Sequence, residues 1–176
     1  MAARKKQREK SKTRPVSKKS ACRGASHGRA YGWGKIFLDK EGRWFHEGVE
    51  ITHQRTIELF NRSIKKQPGK GYYLQVGRER AEIEVEDTPF MVRAVDFRDR
   101  QAVLVLNDKT SEPLDPASLR VGKHNVLYCK VKSGQFPARF LRPAYYQLMS
   151  CLGEDEQGFF LEIGGQKWRI AQAAAD

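Results

Sequence analysis

Short runs in which apolar and polar residues alternate recur along this chain, and such a period of two is typical of half-buried strands. The run Ala81–Val85, for example, alternates apolar residues with Glu82 and Glu84. The same pattern predicts strands over residues 35–38, 43–46, 72–76, 90–95, 102–106, 125–131 and 136–140 and a hairpin within 158–170. Glycine-containing links join most of these strands in pairs, so the chain is predicted to be rich in β-hairpins.

In two segments the apolar residues recur at helical spacing instead. Ile57, Phe60 and Ile64 recur every three or four residues between Thr52, which can serve as an N-cap, and Gln67, and this predicts an amphipathic helix of about four turns. A second helix is predicted after Pro143, which suits a first helical turn. Its apolar stripe consists of Tyr145, Leu148, Met149 and Leu152.

The chain repeats itself once without a gap. The segment Arg55–Ile83, shifted by 87 residues, aligns with Arg142–Ile170. Identical residues are Arg55 and Arg142, Ser63 and Ser150, Gly71 and Gly158, Leu74 and Leu161, Gly77 and Gly164, and Ile83 and Ile170. A fixed-offset match of this kind indicates a duplicated structural unit. We therefore predict an α+β fold of two similar β-β-α-β-β repeats with connecting strands.

This duplication suggests a division of the chain into three segments. Residues 1–30 form a basic arm, 31–106 the first repeat with its linking strands, and 107–176 the second repeat. We expect 31–176 to form one compact unit.

The arm carries most of the net charge. It holds 11 of the 33 Lys and Arg side chains and one of the 21 acidic side chains, so it accounts for +10 of the formal +12. A segment this basic, with no apolar run, is expected to be disordered. Lysine and arginine blocks bind nucleic acid without sequence specificity. The residues available for this role are Arg4, Lys5, Lys6, Arg8, Lys10, Lys12, Arg14, Lys18 and Lys19.

Other features of the composition point to a cytoplasmic protein. No stretch resembles a secretory signal or reaches the length needed to span a membrane. Cys22, Cys129 and Cys151 are odd in number and widely separated, which argues against a disulfide framework and a thiolate zinc site.

Several segments resemble a known bacterial family. They include 42–48, 71–74 and, above all, Ile83–Phe90, together with the closing segments 158–161 and 168–170. In order and spacing they resemble the family called domain of unknown function 1285. The resemblance implies an α+β fold of two β-β-α-β-β motifs and a role in signal transduction, and it implies no catalytic residue or cofactor. The long basic arm departs from the family pattern.

Few residues are of the types that form a metal-binding or catalytic site. His46, Glu50 and His53 are of metal-binding types, but a turn at Gly48 separates them, which favours structural or exposed roles over a metal site. Glu82, Glu84 and Glu86 are expected on the solvated face of a strand. Asp87 is expected in turn and salt-bridge roles rather than in acid–base catalysis.

The matched arginines Arg55 and Arg142 could together bind an anionic ligand, because a guanidinium suits carboxylate or phosphate. The alternative is that each ties its helix to an acid within the fold, with Arg55 reaching Glu86 or Asp87. No phosphate-binding loop or nucleophile motif is present in the sequence.

These observations predict a non-enzymatic cytoplasmic module that binds a small anionic ligand or a protein, with a role in regulation or signal transduction. Arg55, Arg142, His46 and His53 are its candidate ligand-binding residues, with no metal and no cofactor. The alternative is an RNA- or ribosome-associated accessory protein that acts through residues 1–30. No membrane partner is expected.

Overall fold

The computed structural model of the chain describes residues 36–169 and 171–172, all within the compact unit Tyr31–Asp176. The predicted basic arm lies outside the described residues. The described part contains sixteen strands, two α-helices and two short 3-10 turns. The predicted α+β class is confirmed, with far more strand than helix.

The first half of the described chain forms a six-stranded mixed sheet with one helix. Its strands are β1 (Ile36–Leu38), β2 (Trp44–His46), β3 (Val49–Glu50), β4 (Ile64–Gln67), β5 (Gly71–Val76) and β6 (Glu79–Val85). The helix α1 (Gln54–Ser63) lies between β3 and β4 in the chain. The strand order across the sheet is β3-β2-β1-β6-β5-β4, and β1 pairs parallel with β6 while every other pair is antiparallel.

The second half contains three strands that link it to the first half, and then a second helix among further strands. The linking strands are β7 (Phe90–Arg98), β8 (Gln101–Leu106) and β9 (Ser111–Pro113). The next are β10 (Arg120–Val121), β11 (Leu127–Val131), β12 (Phe136–Phe140), the helix α2 (Arg142–Met149), β13 (Leu152–Asp155), β14 (Gly158–Ile163), β15 (Gln166–Arg169) and β16 (Ala171–Gln172).

These strands form two sheets. The seven-stranded sheet has the order β16-β10-β11-β12-β7-β8-β9, and the three-stranded sheet has the order β13-β14-β15. β10 pairs parallel with β16, and β12 pairs parallel with β7. Because β15 and β16 are one residue apart in the chain, they connect the two sheets.

One hydrophobic core connects both halves. Its most buried side chains come from strands of both halves and from α2: Leu38, Trp44, Leu74, Met91, Val92, Leu104, Leu127, Leu148 and Leu161. Phe160 is also buried, whereas Phe60 and Trp168 are partly buried against this core. Tyr73 is half-buried outside it, with the Arg80 guanidinium 3.8 Å from its ring centroid.

The two helices exist as predicted, but both end earlier. The predicted first helix extended to Gln67, whereas α1 ends at Ser63 and Ile64 has extended backbone angles. Ile64 is buried because it begins β4 and pairs with Leu74, and one apolar residue at this position fits either structure. The predicted N-cap Thr52 is also wrong, because His53 is the N-cap residue and no side chain caps the helix.

In the second helix the same error occurs at Leu152. We predicted it in the apolar stripe of the helix, but α2 ends at Met149, and Leu152 begins β13, where it pairs with Leu161. The side chain of Leu152 is 41% exposed. Both helices therefore lead almost directly into a strand.

Candidate functional site

A pair of buried asparagines joins α1 to the turn after β8. The Asn61 Oδ1 atom accepts hydrogen bonds from the Trp44 indole at 2.9 Å and from the Asn107 amide at 3.1 Å. The Asn61 amide donates to the Asn107 carbonyl at 3.2 Å, and the Asn107 Oδ1 atom accepts from the Met91 backbone N–H at 3.1 Å. Buried amides with this many partners hold their surroundings in one arrangement.

The two amides lie at one side of a cavity of about 240 Å³, which we call the polar pocket. Its walls come from the β1–β2 turn, the end of β3, one side of α1, β7, the turn after β8 and the residue before α2. They consist of Glu41, Gly42, Arg43, Glu50, Ile51, Gln54, Ile57, Asn61, Met91, Arg93, Asn107, Lys109 and Leu141. The pocket therefore combines an apolar wall with amide and charged groups, as small-molecule sites do.

Gly42 lets the β1–β2 turn approach β7 closely. Its φ of 85° is in the left-handed region, and a Cβ atom there would lie 3.3 Å from the Met91 sulfur. A larger residue at this position would be strained and would crowd the Met91 side of the pocket.

Two of the three cations in the polar pocket already have a carboxylate partner. The Arg43 Nε atom lies 2.7 Å from the buried Asp39 carboxylate, and this hydrogen bond raises the pKa of Arg43. The Lys109 ammonium lies 2.5 Å from Glu58, whose pKa it lowers by donating a hydrogen bond. Both cations are therefore partly neutralised.

Arg93 differs from these two. Its side chain is exposed at the pocket wall and, within the described residues, it has no hydrogen bond, ion pair or ring contact. A guanidinium without a partner, beside amide donors and an apolar wall, can bind a carboxylate or a phosphate through paired hydrogen bonds. The described pocket lining has no Ser, Cys or His that could serve as a nucleophile.

The residues predicted from the sequence lie elsewhere. Arg55 and Arg142 are exposed in the first turns of their helices and do not line the polar pocket. Neither has an ion pair or hydrogen bond to another described residue. His46 is exposed at the end of β2, and the exposed His53 bonds the Thr56 hydroxyl at 2.9 Å. Their roles in ligand binding stay predictions.

The predicted alternative for Arg55 is wrong, because both carboxylates have other partners. Glu86 accepts a hydrogen bond from the Lys40 backbone and lies 3.6 Å from the Lys40 ammonium. Asp87 pairs with Arg139 at 2.8 Å and accepts a hydrogen bond from the Tyr128 hydroxyl at 3.0 Å. The predicted salt-bridge role of Asp87 is confirmed.

Cysteine and metal chemistry have little support among the described residues. No three His, Cys, Asp or Glu side chains in this part of the chain are grouped to hold a metal ion. Burial raises the pKa of the Cys129 thiol to about 12, so it stays protonated at neutral pH. Nor is any described helix both long and apolar enough to cross a membrane.

The sequence reasoning missed Arg93, Asn61 and Asn107. Asn61 carried a detectable signal, because it lies between Ile57 and Ile64 on the apolar face of the predicted helix. A polar residue at such a position requires a buried partner. Arg93 carried no such signal, because only the packing of the two halves places it at the pocket.

Three comparisons bear on identity. Residues 29–88 match the family model described as domain of unknown function (DUF1285), N-terminal domain. The chain is similar to the crystal structure of a DUF1285 family protein from Silicibacter pomeroyi DSS-3, with a TM-score of 0.65, 19% identity, and coverage of 79% of this chain and 80% of that one.

A second similar structure is that of a DUF1285 family protein from Shewanella baltica OS155. Its TM-score is 0.54 at 16% identity, and the match covers 65% of this chain and 90% of that one. No curated protein matches the chain. The two structural likenesses establish a shared fold, and the match of residues 29–88 to the N-terminal domain model confirms the resemblance to the DUF1285 family that was predicted from the sequence.

Proposed function

We propose that this protein is a non-enzymatic cytoplasmic binding module that holds a small anionic ligand in the polar pocket. The observation that carries the proposal is Arg93, an arginine with no partner among the described residues at the wall of a pocket with amide groups. A bound carboxylate or phosphate would supply the missing partner. The apolar residues Ile51, Ile57 and Leu141 would contact the rest of the ligand.

The location of the pocket suits a regulatory role. Its walls come from α1 in the first half, from β7 and from the residue before α2, so a ligand there would contact elements of both halves. A ligand that binds one relative placement of these elements more tightly would favour that placement. A protein partner could read this change, which is how a module without catalytic groups could serve signal transduction.

A thermal-shift screen tests the proposal. The probes are inorganic phosphate, mono- and dicarboxylates and nucleotides, added to the full chain. A ligand at 100 times its Kd stabilises the folded state by about 2.7 kcal/mol, which raises the melting temperature measurably. Arg93→Ala should abolish the shift.

The matched control is Arg78→Ala. Arg78 is also exposed and, among the described residues, also lacks a partner, but it lies in the β5–β6 turn and not at the pocket. It should respond to the ligand like the parent. A panel without any stabilising compound, or an Arg93→Ala protein that responds like the parent, would contradict the proposal.

We also propose that the two halves are copies of one unit. Support comes from strand order: the first half reads β3-β2-β1-β6-β5-β4, and the second reads β12-β11-β10-β16 and then β15-β14-β13. In each half the helix follows the outermost of the first three strands, and the first strand pairs parallel with the last. This would extend the predicted β-β-α-β-β repeat by one strand on each side of the helix.

The second candidate function is RNA association through residues 1–30. Its support is the clustering of 11 basic side chains in that segment. Electrophoretic shifts with an unstructured RNA across a salt series test it, with a log–log slope of roughly 0.7 per phosphate contact. Deletion of residues 1–30 should abolish binding, whereas equal binding by both proteins would place the site on the folded body.

A further inference from the structure

An apolar groove opens on the second half, beside α2. Its volume is about 650 Å³, and Tyr145 and Met149 of α2, Leu152 of β13, Phe159 of β14 and Leu127 of β11 line it. Phe159 is 61% exposed. Tyr146, 69% exposed, packs its ring edge-on against Tyr145 at the rim. We call this groove and its rim the open face.

The corresponding surface of the first half is covered. Tyr72 lies at the position that matches Phe159 after the 87-residue shift, and its ring stacks on Phe136 with centroids 6.2 Å apart. Ile64 and Leu152 each begin an edge strand and pair with a matched leucine, yet Ile64 is 4% exposed and Leu152 is 41% exposed. The open face therefore lacks, among the described residues, the cover that its counterpart has.

The edge strands of the two halves also differ in the charged residues that they carry. β4 is the edge of the first sheet and carries Lys65 and Lys66, and lysines discourage pairing with another strand. β13 is an edge of the three-stranded sheet and lies directly beside the open face. It has no lysine, and its charged residues are Glu154 and Asp155, of which Asp155 is paired with Arg169. Backbone groups of β13 are thus available next to exposed apolar side chains.

We propose that the open face is a self-association surface, on which a second copy of this chain binds with two-fold symmetry. Two β13 strands would pair antiparallel across the two-fold axis, and each copy would bury Leu152 and Phe159 against the other. A two-fold interface uses the same patch on both partners, and antiparallel pairing of one edge strand with itself meets this condition.

The exposed area is of the size that such a dimer needs. At about 150–250 Å² for a large side chain, Phe159, Tyr146 and Leu152 together leave about 300 Å² exposed. A standard interface buries about 800 Å² per partner, of which somewhat more than half is apolar. The open face supplies most of that apolar share, which fits a reversible dimer rather than an obligate one.

Net charge does not oppose this association. Residues 31–176 hold 22 basic and 20 acidic side chains, so the folded part is close to neutral. On β13 itself, Asp155 is paired with the Arg169 side chain at 2.5 Å, whereas Glu154 is exposed and lies opposite Phe159 in the β13–β14 pair. The register of the two β13 strands must therefore keep the two Glu154 carboxylates from lying directly opposite each other.

Sedimentation equilibrium of the full chain over a concentration series tests the proposal. The parent should dimerise with a Kd in the micromolar range, about that of small interfaces. Phe159→Glu should weaken dimerisation at least tenfold, because two buried carboxylates would meet near the axis. Its circular dichroism spectrum and melting temperature should match those of the parent monomer, since Phe159 is exposed in the monomer.

Phe97→Glu is the matched control, because Phe97 is also an exposed aromatic residue but lies on β7, outside the open face. It should dimerise like the parent. A parent that stays monomeric at about 200 μM would overturn the proposal and leave the groove to a different partner. A folded Phe159→Glu protein that dimerises like the parent would overturn it as well.

Discussion

The two halves of this protein share a buried leucine at one matched strand position and differ in what covers the aromatic ring beside it. Leu74 and Leu161 occupy matched positions, and both are buried at the centre of their strands. The matched rings Tyr72 and Phe159 differ, because Tyr72 stacks on Phe136 and Phe159 lies in an open groove. This core position is thus apolar in both halves, while the outer position depends on what packs against it.

The cover of the first half consists of the β11–β12 turn, residues 132–135, and Phe136 at the start of β12. The Lys132 ammonium lies 2.8 Å from the Asp108 carboxylate, and the Lys132 backbone donates to Glu112 at 2.8 Å. Phe136 packs edge-on against Phe90 and stacks on Tyr72. The covering turn therefore belongs to the second half but completes the core of the first.

Removal of this cover should have the largest effect. We expect Phe136→Ala to cost about 3–5 kcal/mol of unfolding free energy, because it opens a cavity between Phe90 and Tyr72. Urea unfolding measures this cost. The control is Phe159→Ala, for which we expect a change within about 0.5 kcal/mol in dilute protein. Equal losses in the two proteins would refute the difference between the halves.

The matched core positions should respond alike. Leu74→Ala and Leu161→Ala should each destabilise the protein by about 2–5 kcal/mol, since both leucines are almost fully buried. Chemical denaturation of the two proteins under one condition gives the comparison. If either variant unfolds like the parent, the halves do not share an equivalent core.

Replacing Asn61 by the residue at the matched position of the second half tests how much the buried amide pair Asn61–Asn107 contributes to the free energy of unfolding. Leu148 occupies the position that matches Asn61. Asn61→Leu should cost about 1–3 kcal/mol, because the Trp44 indole N–H and the Asn107 amide lose their acceptor. Arg62→Met is the control: it introduces the matched residue of α2, Met149, at an exposed position and should change stability by less than about 1 kcal/mol.

The smallest expected effect is a loss of stability at low pH. Burial raises the pKa of Asp108, but hydrogen bonds from Lys132 and Thr110 outweigh it, and the pKa lies below its ordinary value. A carboxyl with a lowered pKa stabilises the fold above its unfolded value, near 4, and this contribution is lost as the pH falls through the folded value. The covering turn should therefore loosen in acid.

The variant Lys132→Met removes the ammonium group that lowers the pKa of Asp108. It should lose about 1 kcal/mol at pH 7 and less at pH 3, so its stability should depend less on acid than that of the parent. Unfolding free energies at the two pH values measure the difference. An unchanged acid dependence would show that the Asp108–Lys132 pair does not hold the turn.

Much of this fold was predictable because its signals are local. Period-two runs and glycine turns located the hairpins β1–β2, β5–β6, β7–β8, β11–β12 and β14–β15. The ends of the helices were not predictable, since Ile64 and Leu152 suit a helical stripe and a strand equally. Strands of two or three residues, such as β3 and β10, are too short to show a period.

The candidate site was less predictable than the fold, for a physical reason. Arg55 and Arg142 stand out in the sequence because they match each other. Arg93 is set apart by its surroundings instead, and these depend on the packing of α1 against the turn after β8. The absence of a partner cannot be seen before the fold is known.

The most direct test compares Ile64→Ala with Leu152→Ala, because each residue begins the edge strand after its helix and pairs with one of the matched leucines, Leu74 and Leu161. Their unfolding free energies should be measured in urea on dilute protein, below the concentration at which two copies would associate. We expect a loss of about 2–4 kcal/mol for Ile64→Ala and less than about 1 kcal/mol for Leu152→Ala. Equal losses, or a larger loss for Leu152→Ala, would contradict the claim that, among the described residues, the first half has a cover that the second half lacks.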